Sequence, residues 1–250
     1  MEKKKRTPKI NYLEVFGPTI QGEGMVIGKK TMFLRTYGCD YSCDWCDTKY
    51  TWDGSEKHNM KRATAQEVFD ELKETAGDKS FSHLTISGGN PALQKESMSQ
   101  LIDICHDNGV KVGLETQGSI WQDWFYKIDD LTISPKPPSS LMKTNFLTLD
   151  DMVDKLVAEN VNFSIKIVYF NEDDLRYAKD LFKRYKDKGY DIPYYLSVGN
   201  ATPYTSDDIT KQLIDKLEEL WDLVMNDEEL NDVQALPQLH AIVWGNARGV

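Results

Sequence analysis

Short β-rich runs alternate with helical patterns along the chain from Tyr12 onward. Runs of β-branched and aromatic residues predict strands, and segments with apolar residues every three or four positions predict helices. This alternation is typical of βα units joined into a largely parallel sheet. The predicted strands are 32–36, 84–87, 110–115, 131–134, 163–169 and 194–198, preceded by 12–16, which we expect to pair at an edge.

Two of the predicted helices carry start signals. Thr64 followed by Glu67 is a capping-box pattern ahead of 68–76, and Asp150 with Asp151 places negative charge where a helix over 152–160 is predicted to begin. The other predicted helices are 95–108, 172–188 and 207–225, the last with apolar residues at helical spacing, namely Ile209, Leu213, Leu217, Leu220 and Leu223.

These elements define a fold class. Six repeated βα units are too few for a closed eight-stranded barrel but are enough for an open one. We therefore predict an α/β fold, a partial TIM-like β/α barrel of about six βα units. No Ser/Gly-rich linker divides the chain, so residues 1–250 are predicted to form a single domain with 1–8 as a flexible basic tail. In such folds the chemistry gathers where the parallel strands end.

Composition and charge limit the classes of function. With 40% hydrophobic and 28% charged residues the chain is typical of globular proteins, and no apolar stretch approaches the length of a membrane span. The basic start MEKKKRTP is not followed by an apolar segment, so we expect no secretory signal and a cytoplasmic location. The net charge of -10 would repel a phosphate backbone, which argues against nucleic acid as a partner.

Three of the four cysteines follow the first strand of the repeat with the spacing C-x3-C-x2-C. Three nearby thiolates suit zinc or an iron–sulfur cluster, and the expected cytosolic location argues against disulfides. Structural zinc needs a fourth ligand, for which His58 or Asp47 would have to serve, whereas a 4Fe–4S cluster on three cysteines leaves one iron open to a small molecule. A redox thiol pair is a further alternative. The ligands would be Cys39, Cys43 and Cys46; we expect Cys105 to be a small core residue instead.

This spacing, with Trp45 before the last cysteine, resembles the radical S-adenosylmethionine (AdoMet) superfamily, whose open iron binds the amino and carboxylate groups of AdoMet. The segment TISGGNP resembles the glycine-rich AdoMet-binding segment of that superfamily, with Asn90 where Glu is usual. An amide oxygen can still accept a hydrogen bond there. The resemblance implies a radical SAM core with AdoMet contacts from Trp45, Asp47, Gly88, Gly89, Asn90, Ser134, Pro135, Lys136, Ser197 and Asn200.

A narrower resemblance covers most of the chain. The stretch EVFGPTIQGEGMVIGKKTMFLRTYGCDYSCDWCDT, together with SGGNP, LETQG, SPKPPSS and LPQLHAIVWGNARGV, resembles the 7-carboxy-7-deazaguanine synthase family. That resemblance implies cleavage of AdoMet to a 5'-deoxyadenosyl radical, which removes hydrogen from C6 of 6-carboxy-5,6,7,8-tetrahydropterin. The ring then contracts with loss of ammonia, AdoMet is regenerated, and the product feeds queuosine-type deazapurine synthesis.

The same resemblance suggests residues for the substrate. In the QGEG segment the glycines allow close backbone approach, while a carboxamide and a carboxylate can pair with an aminopyrimidinone edge. Arg35 offers a fork for a carboxylate, and the Thr48 hydroxyl is implied as a ligand to a magnesium ion on the substrate carboxylate. The full set of substrate candidates is Ile20, Gln21, Gly22, Glu23, Arg35, Ser87, Glu115 and His240.

Two other functions compete with this prediction. A glycyl-radical-enzyme activating enzyme uses the same cysteine spacing on a protein substrate, although the QGEG segment and Thr48 favour the pterin. A zinc-binding interaction module would need no catalysis at all. The family resemblance further implies a homodimer and an electron donor such as flavodoxin or ferredoxin.

Overall fold

The computed structural model describes residues 7–205 and 207–250, so most of the predicted basic tail, 1–8, lies outside the described residues. Within these residues the chain forms one sheet of nine strands in the order β3-β1-β2-β4-β5-β6-β7-β8-β9. The strands are β1 Ile10–Ile20, β2 Lys30–Thr36, β3 Lys61–Ala63, β4 His83–Gly88, β5 Lys111–Thr116, β6 Asp130–Ile133, β7 Phe163–Tyr169, β8 Tyr194–Val198 and β9 Val233–Leu236.

From β2 through β4 to β9 every neighbouring pair of strands is parallel, whereas β1 pairs antiparallel with β2 and β3. The predicted parallel sheet is confirmed, and its open ends agree with a partial barrel. Two details of the prediction were wrong. β1 is not at the edge of the sheet, because the short β3 pairs with its outer side. The four-residue strand β9 was not predicted, and it adds a further parallel strand beside β8.

The helices pack beside the sheet at α1 Ala65–Ala76, α2 Glu96–Asp107, α3 Phe146–Ala158, α4 Glu172–Lys186, α5 Thr210–Met225 and α6 Leu239–Trp244. The capping box is confirmed, with Thr64 Oγ1 accepting from the Glu67 amide and the Glu67 carboxylate accepting from the Thr64 amide. The predicted start at Asp150 was wrong, because Asn145 caps α3 by accepting from the amides of Leu147 and Thr148. The short α6 was not predicted. In the described part of the chain, no helix has the length and apolar character needed to cross a bilayer.

A main hydrophobic cluster joins the sheet to the helices from Ile10 to Val233. Cys105 lies within it and is fully buried, as predicted, and burial raises the pKa of its thiol to about 12. Every residue of β7 is buried, including the charged Lys166. The core therefore holds the parallel strands rigidly and leaves their carboxyl ends to form a site.

At the amino ends of the parallel strands, Asp130 accepts a hydrogen bond from Lys29 at 2.8 Å and lies 3.4 Å from the His83 ring. The His83 contact, followed by the Lys29 bond, lowers the pKa of the Asp130 carboxyl to about 2. A carboxyl with a lowered pKa stabilises the fold above its unfolded pKa and loses that contribution as the pH falls toward its folded value.

We expect Asp130→Asn to lower the free energy of unfolding by about 1–2 kcal/mol at neutral pH and by about half as much near pH 3. Urea unfolding of both proteins at the two pH values measures this. The control is Asp151→Asn, which breaks an exposed ion pair with Lys155 and should cost less than about 0.5 kcal/mol. A pH-independent loss in Asp130→Asn would contradict the assignment.

Candidate active site

One cavity opens at the carboxyl ends of the parallel strands and receives side chains from both halves of the chain. The loop after β2 contributes the cysteines, and β1, β5, β7 and α6 contribute the opposite wall. The predicted site residues that line it are Ile20, Gln21, Gly22, Glu23, Arg35, Cys39, Cys43, Trp45, Cys46, Asp47, Thr48, Ser87, Gly88, Gly89, Glu115, Lys136, Asn200 and His240.

Four predicted AdoMet contacts do not line the cavity, namely Asn90, Ser134, Pro135 and Ser197. Asn90 is fully buried, and its side-chain amide is hydrogen-bonded to other residues of the protein. Its Nδ2 donates to Asp40 at 2.7 Å, and its Oδ1 accepts from Thr116 at 2.9 Å. In this chain the residue that replaces the usual Glu therefore holds the loops around the cysteines together.

Backbone hydrogen bonds hold the cysteine loop against the sheet. Gly38 turns the chain at the end of β2 with a φ of 99°, a conformation that favours glycine. Its backbone N–H donates to the Thr51 carbonyl at 2.8 Å, and its own carbonyl accepts from the backbone N–H of Asn90 at 2.8 Å. On the far side, the Tyr204 hydroxyl donates to the Cys46 carbonyl at 2.6 Å. The loop that carries the three thiols is thereby held in place at the wall of the cavity.

The three cysteines are free, and two of them receive hydrogen-bond donors on their sulfur atoms. The Tyr41 amide lies 3.4 Å from Cys39 Sγ, and Trp52 Nε1 lies 3.4 Å from Cys46 Sγ. Burial raises the pKa of the Cys43 thiol to about 11 and also raises the pKa of Cys39. Buried thiols of this kind become thiolates when a metal compensates their charge.

The structure tests whether the three cysteines could serve one zinc ion. Sulfur ligands of one tetrahedral zinc ion lie roughly 3.8 Å apart, given Zn–S bonds of about 2.3 Å. In the described part of the chain, the group whose His, Cys or carboxylate ligand atoms all lie within 4.8 Å of one another is Glu23, Asp47 and His240, without the cysteines. His58, a proposed fourth zinc ligand, is exposed and does not line the cavity. The cysteines therefore do not form the compact set that one zinc ion needs, and three free thiols lining one cavity suit an iron–sulfur cluster.

The opposite wall carries charge. Lys166 donates to Glu23 Oε2 at 2.6 Å and lies 2.7 Å from Glu115 Oε1. Burial by itself would raise the pKa of the Glu23 carboxyl, but the charges of Lys166 and His240 outweigh it and hold that pKa well below its usual range. Gln238 donates to Glu23 Oε1 at 3.1 Å. This wall therefore presents ionised carboxylates to whatever occupies the cavity.

The QGEG segment folds tightly against α6. Gln21 Oε1 accepts from the amides of Gly22 and Glu23 at 2.6 and 3.2 Å, so the carboxamide shapes its own loop. A Cβ on Gly22 would lie 2.4 Å from His240 Nδ1, so only glycine fits beside that ring. Because Gly22 has no side chain, the His240 ring can lie beside Glu23 at the cavity wall.

Arg35 lines the cavity but is also ion-paired. Its Nε donates to Glu14 Oε1 at 2.7 Å, and its guanidinium stacks over the Phe16 ring. Glu14 also accepts from the Tyr50 hydroxyl at 3.1 Å, and Arg248 stacks on the Tyr50 ring at 3.6 Å. The chain's last residues therefore join the wall next to Arg35, so both guanidinium groups border the same part of the cavity.

Sequence reasoning missed several residues of the wall. Gln117 directly follows β5 and donates to Asp40 at 2.7 Å beside Cys39. Lys166 was missed although a lone charge in the buried run FSIKIVY is itself a signal of function. Gln238 lies two residues before His240, and nothing local distinguishes it from a surface glutamine.

Solved structures share this architecture. The crystal structure of QueE from Escherichia coli superposes with a TM-score of 0.66 at 20% identity, over 93% of this chain and 95% of that chain. The AdoMet-bound structure of anSMEcpe superposes with a TM-score of 0.51 at 18% identity, over 79% of this chain and 61% of that chain. At these identities the likeness concerns the fold.

Sequence comparisons are more specific. A family model described as a 4Fe-4S single cluster domain matches residues 20–137, which contain the three cysteines. The 7-carboxy-7-deazaguanine synthase of Bacillus subtilis (strain 168) is 55% identical over 245 residues, covering 96% of this chain and 98% of that protein. The protein of the same name from Bacillus cereus is 52% identical over 97% of this chain and 99% of its own length. The chain belongs to the 7-carboxy-7-deazaguanine synthase family.

Proposed function

We propose that this chain converts 6-carboxy-5,6,7,8-tetrahydropterin to 7-carboxy-7-deazaguanine with loss of ammonia, a step of queuosine-type deazapurine synthesis. The observation that carries the proposal is 55% identity to a named synthase over almost the whole chain. The cavity supports it, because the cysteine set and the QGEG segment face each other across one space. The radical SAM interpretation of the cysteine spacing agrees with the sequence identity and with the cavity.

The cofactors follow from the residues on one side of the cavity. Cys39, Cys43 and Cys46 would hold a 4Fe–4S cluster, and the open iron would bind AdoMet. When bound, the cluster and AdoMet supply the radical that takes a hydrogen atom from the substrate. Gly88 and Gly89 let the backbone approach AdoMet closely, and Lys136 lies 5.7 Å over the Trp45 ring at the same wall.

The substrate would occupy the other side, between the charged wall and the cysteine loop. The carboxylates of Glu23 and Glu115 accept N–H groups of an aminopyrimidinone ring, and Arg35 offers a fork to the substrate carboxylate. His240, held beside Glu23 at 3.9 Å, borders the same position.

Magnesium would bind next to the cysteine loop. The Thr48 hydroxyl lines the cavity 3.6 Å from Cys46 Sγ, and the carboxylate of the preceding residue, Asp47, lies within 4.8 Å of ligand atoms of Glu23 and His240. Hydroxyl and carboxylate oxygens suit Mg²⁺, which fills its remaining positions with substrate oxygens and water. A metal here would hold the substrate carboxylate beside the cluster.

We expect Thr48→Ala to reduce turnover by about tenfold or more and to remove its stimulation by Mg²⁺, while the Kd for AdoMet changes by less than about twofold. Thr48→Ser keeps the hydroxyl and is the matched control, with turnover and Mg²⁺ response close to the parent. The measurements are initial rates against Mg²⁺ concentration and equilibrium dialysis of AdoMet. Equal losses of Mg²⁺ response and AdoMet binding would argue against Thr48 as the metal ligand.

Product identification tests the function directly. Anaerobic incubation of the reconstituted protein with AdoMet, a reductant and the pterin should yield the deazapurine carboxylate and ammonia by mass spectrometry. If the protein instead installs a radical on a partner protein, it is a glycyl-radical-enzyme activating enzyme. Colourless protein with one zinc would indicate the non-catalytic module, whereas about four irons and four sulfides per chain support the cluster.

The family resemblance also supports two proposals about partners. The first is a homodimer, which light scattering on the purified protein tests. The second is a flavodoxin- or ferredoxin-type electron donor. Product formation with reduced flavodoxin as the sole reductant tests it.

A further inference from the structure

Lys166 is a charged residue inside a strand that is otherwise apolar or uncharged. It lies on β7, all of whose residues are buried, and only 1% of its side chain is exposed. Burying an ammonium is costly unless it is paired. The group is therefore held there by partners, and those partners indicate its role.

The ammonium is shared by two carboxylates from separate parts of the chain. Nζ lies 2.6 Å from Glu23 Oε2, in the loop after β1, and 2.7 Å from Glu115 Oε1, near the end of β5. Burial by itself would lower the pKa of Lys166, but the two carboxylates outweigh it and raise that pKa. One positive charge therefore faces two negative charges, and the group keeps a net negative charge toward the cavity.

Hydrogen-bond acceptors remain after these contacts. Glu115 lines the cavity with 30% of its side chain exposed, so its carboxylate can accept from a ligand. Gln238 is buried to all but 7%; its Nε2 donates to Glu23, and its Oε1 has no hydrogen-bond partner among the residues that the structure describes. A buried oxygen without a partner is costly unless a ligand supplies a donor.

We propose that Lys166 is a positioning residue that clamps Glu23 and Glu115, so that this acceptor-rich wall recognises the N–H edge of a 2-amino-4-oxo ring and rejects a 2,4-dioxo ring. The inference rests on the proposed function. A 2-amino group donates to the carboxylates, whereas a 2-oxo group would set oxygen against oxygen. Sites that lose a required N–H donor discriminate strongly, by about 100-fold or more.

The clamp also explains why discrimination depends on the lysine. Without the ammonium the two carboxylates repel each other and lose the contact that fixes their positions. Displaced carboxylates no longer set oxygen against the 2-oxo group, so the 2,4-dioxo ring is no longer rejected. Removing Lys166 should therefore change which ring is preferred, not only how tightly it binds.

The experiment measures binding of two ligands to the cluster-loaded protein with AdoMet and without reductant. The ligands are 6-carboxytetrahydropterin and the corresponding 2,4-dioxo compound, measured by anaerobic calorimetry. In Lys166→Met we expect the pterin to bind about 30-fold or more weakly and the discrimination ratio to fall below about tenfold. The control is Lys29→Met, which loses an ion pair with Asp130 at the amino ends of the strands, away from the cavity, and should keep the ratio of the parent.

A second variant covers the case in which Lys166→Met fails to fold. Lys166→Met with Glu23→Gln removes one charge of each sign and relieves the unpaired carboxylate. Its comparator is Glu23→Gln alone, because the new amide can itself donate to the 2-oxo group. If Lys166 served stability alone, the two variants would fold and have the same discrimination ratio. Under the proposal the double variant folds, as thermal unfolding would show, but its ratio lies well below that of Glu23→Gln, since the ammonium no longer holds Glu115.

The outcomes separate this inference from the proposed function. A folded double variant with the discrimination ratio of Glu23→Gln alone overturns the clamp while the parent still makes the deazapurine. A parent protein that binds and converts neither ring overturns the proposed function itself. A parent that binds both rings equally well overturns the recognition of the N–H edge.

Discussion

Replacing Cys39, Cys43 or Cys46 by Ala, one at a time, should abolish product formation and leave the protein without a stable 4Fe–4S cluster. Each thiol faces the cavity, and the loop that carries them is fixed by backbone bonds rather than by the metal alone. A missing ligand therefore leaves a second iron without a protein donor instead of allowing a neighbour to move in. Iron and sulfide analysis after anaerobic reconstitution, with turnover measured on the same samples, checks the result.

Cys105→Ala is the matched control because it removes the same atoms from a place remote from the cavity. Cys105 is buried in the core on α2, so its loss should cost about 1–2 kcal/mol of stability and leave iron content and turnover largely intact. Normal turnover in any of the three cavity variants would remove the radical mechanism. Loss of the cluster in Cys105→Ala would mean that general instability, not ligation, explains the others.

Gly89→Ala should have the second largest effect, because its new methyl group has no room. The added Cβ would lie 1.9 Å from the Gly38 carbonyl oxygen and 3.1 Å from the Cys39 amide nitrogen. The backbone at Gly38 must then move. This movement breaks the 2.8 Å hydrogen bond from the backbone N–H of Asn90 to the Gly38 carbonyl and shifts Cys39. We expect the free energy of unfolding to fall by about 1–3 kcal/mol and AdoMet binding to weaken about tenfold or more.

The contrast with Gly109→Ala isolates the clash. Gly109 follows α2 with a φ of 70° and nothing within 4 Å of an added Cβ, so Ala there strains the backbone by about 1 kcal/mol without touching the site. Its iron content and Kd for AdoMet should match the parent. Chemical unfolding and AdoMet dialysis on both variants measure the two effects. A full cluster and unchanged AdoMet binding in Gly89→Ala would show that the backbone at Gly38 can move without disturbing the site, which would contradict this prediction.

Local patterns were sufficient for much of this protein. The period of apolar residues located the six predicted parallel strands, and Thr64 with Glu67 predicted a capping box that the structure contains. The spacing of the cysteines after β2 indicated the cluster before any contact was known. Each of these features depends on residues within one turn, one strand or one loop, where neighbours in sequence are also neighbours in space.

Features that join distant segments escaped prediction for the same reason. The start of α3 depends on Asn145 rather than on the acidic pair that follows, and the four residues of β9 become a strand by pairing with β8. Lys166 meets Glu23 and Glu115 because strand order brings β7 and β5 to one cavity, although these residues are far apart along the chain. Composition and period carry no information on which distant residues meet, since packing and register across the sheet decide it.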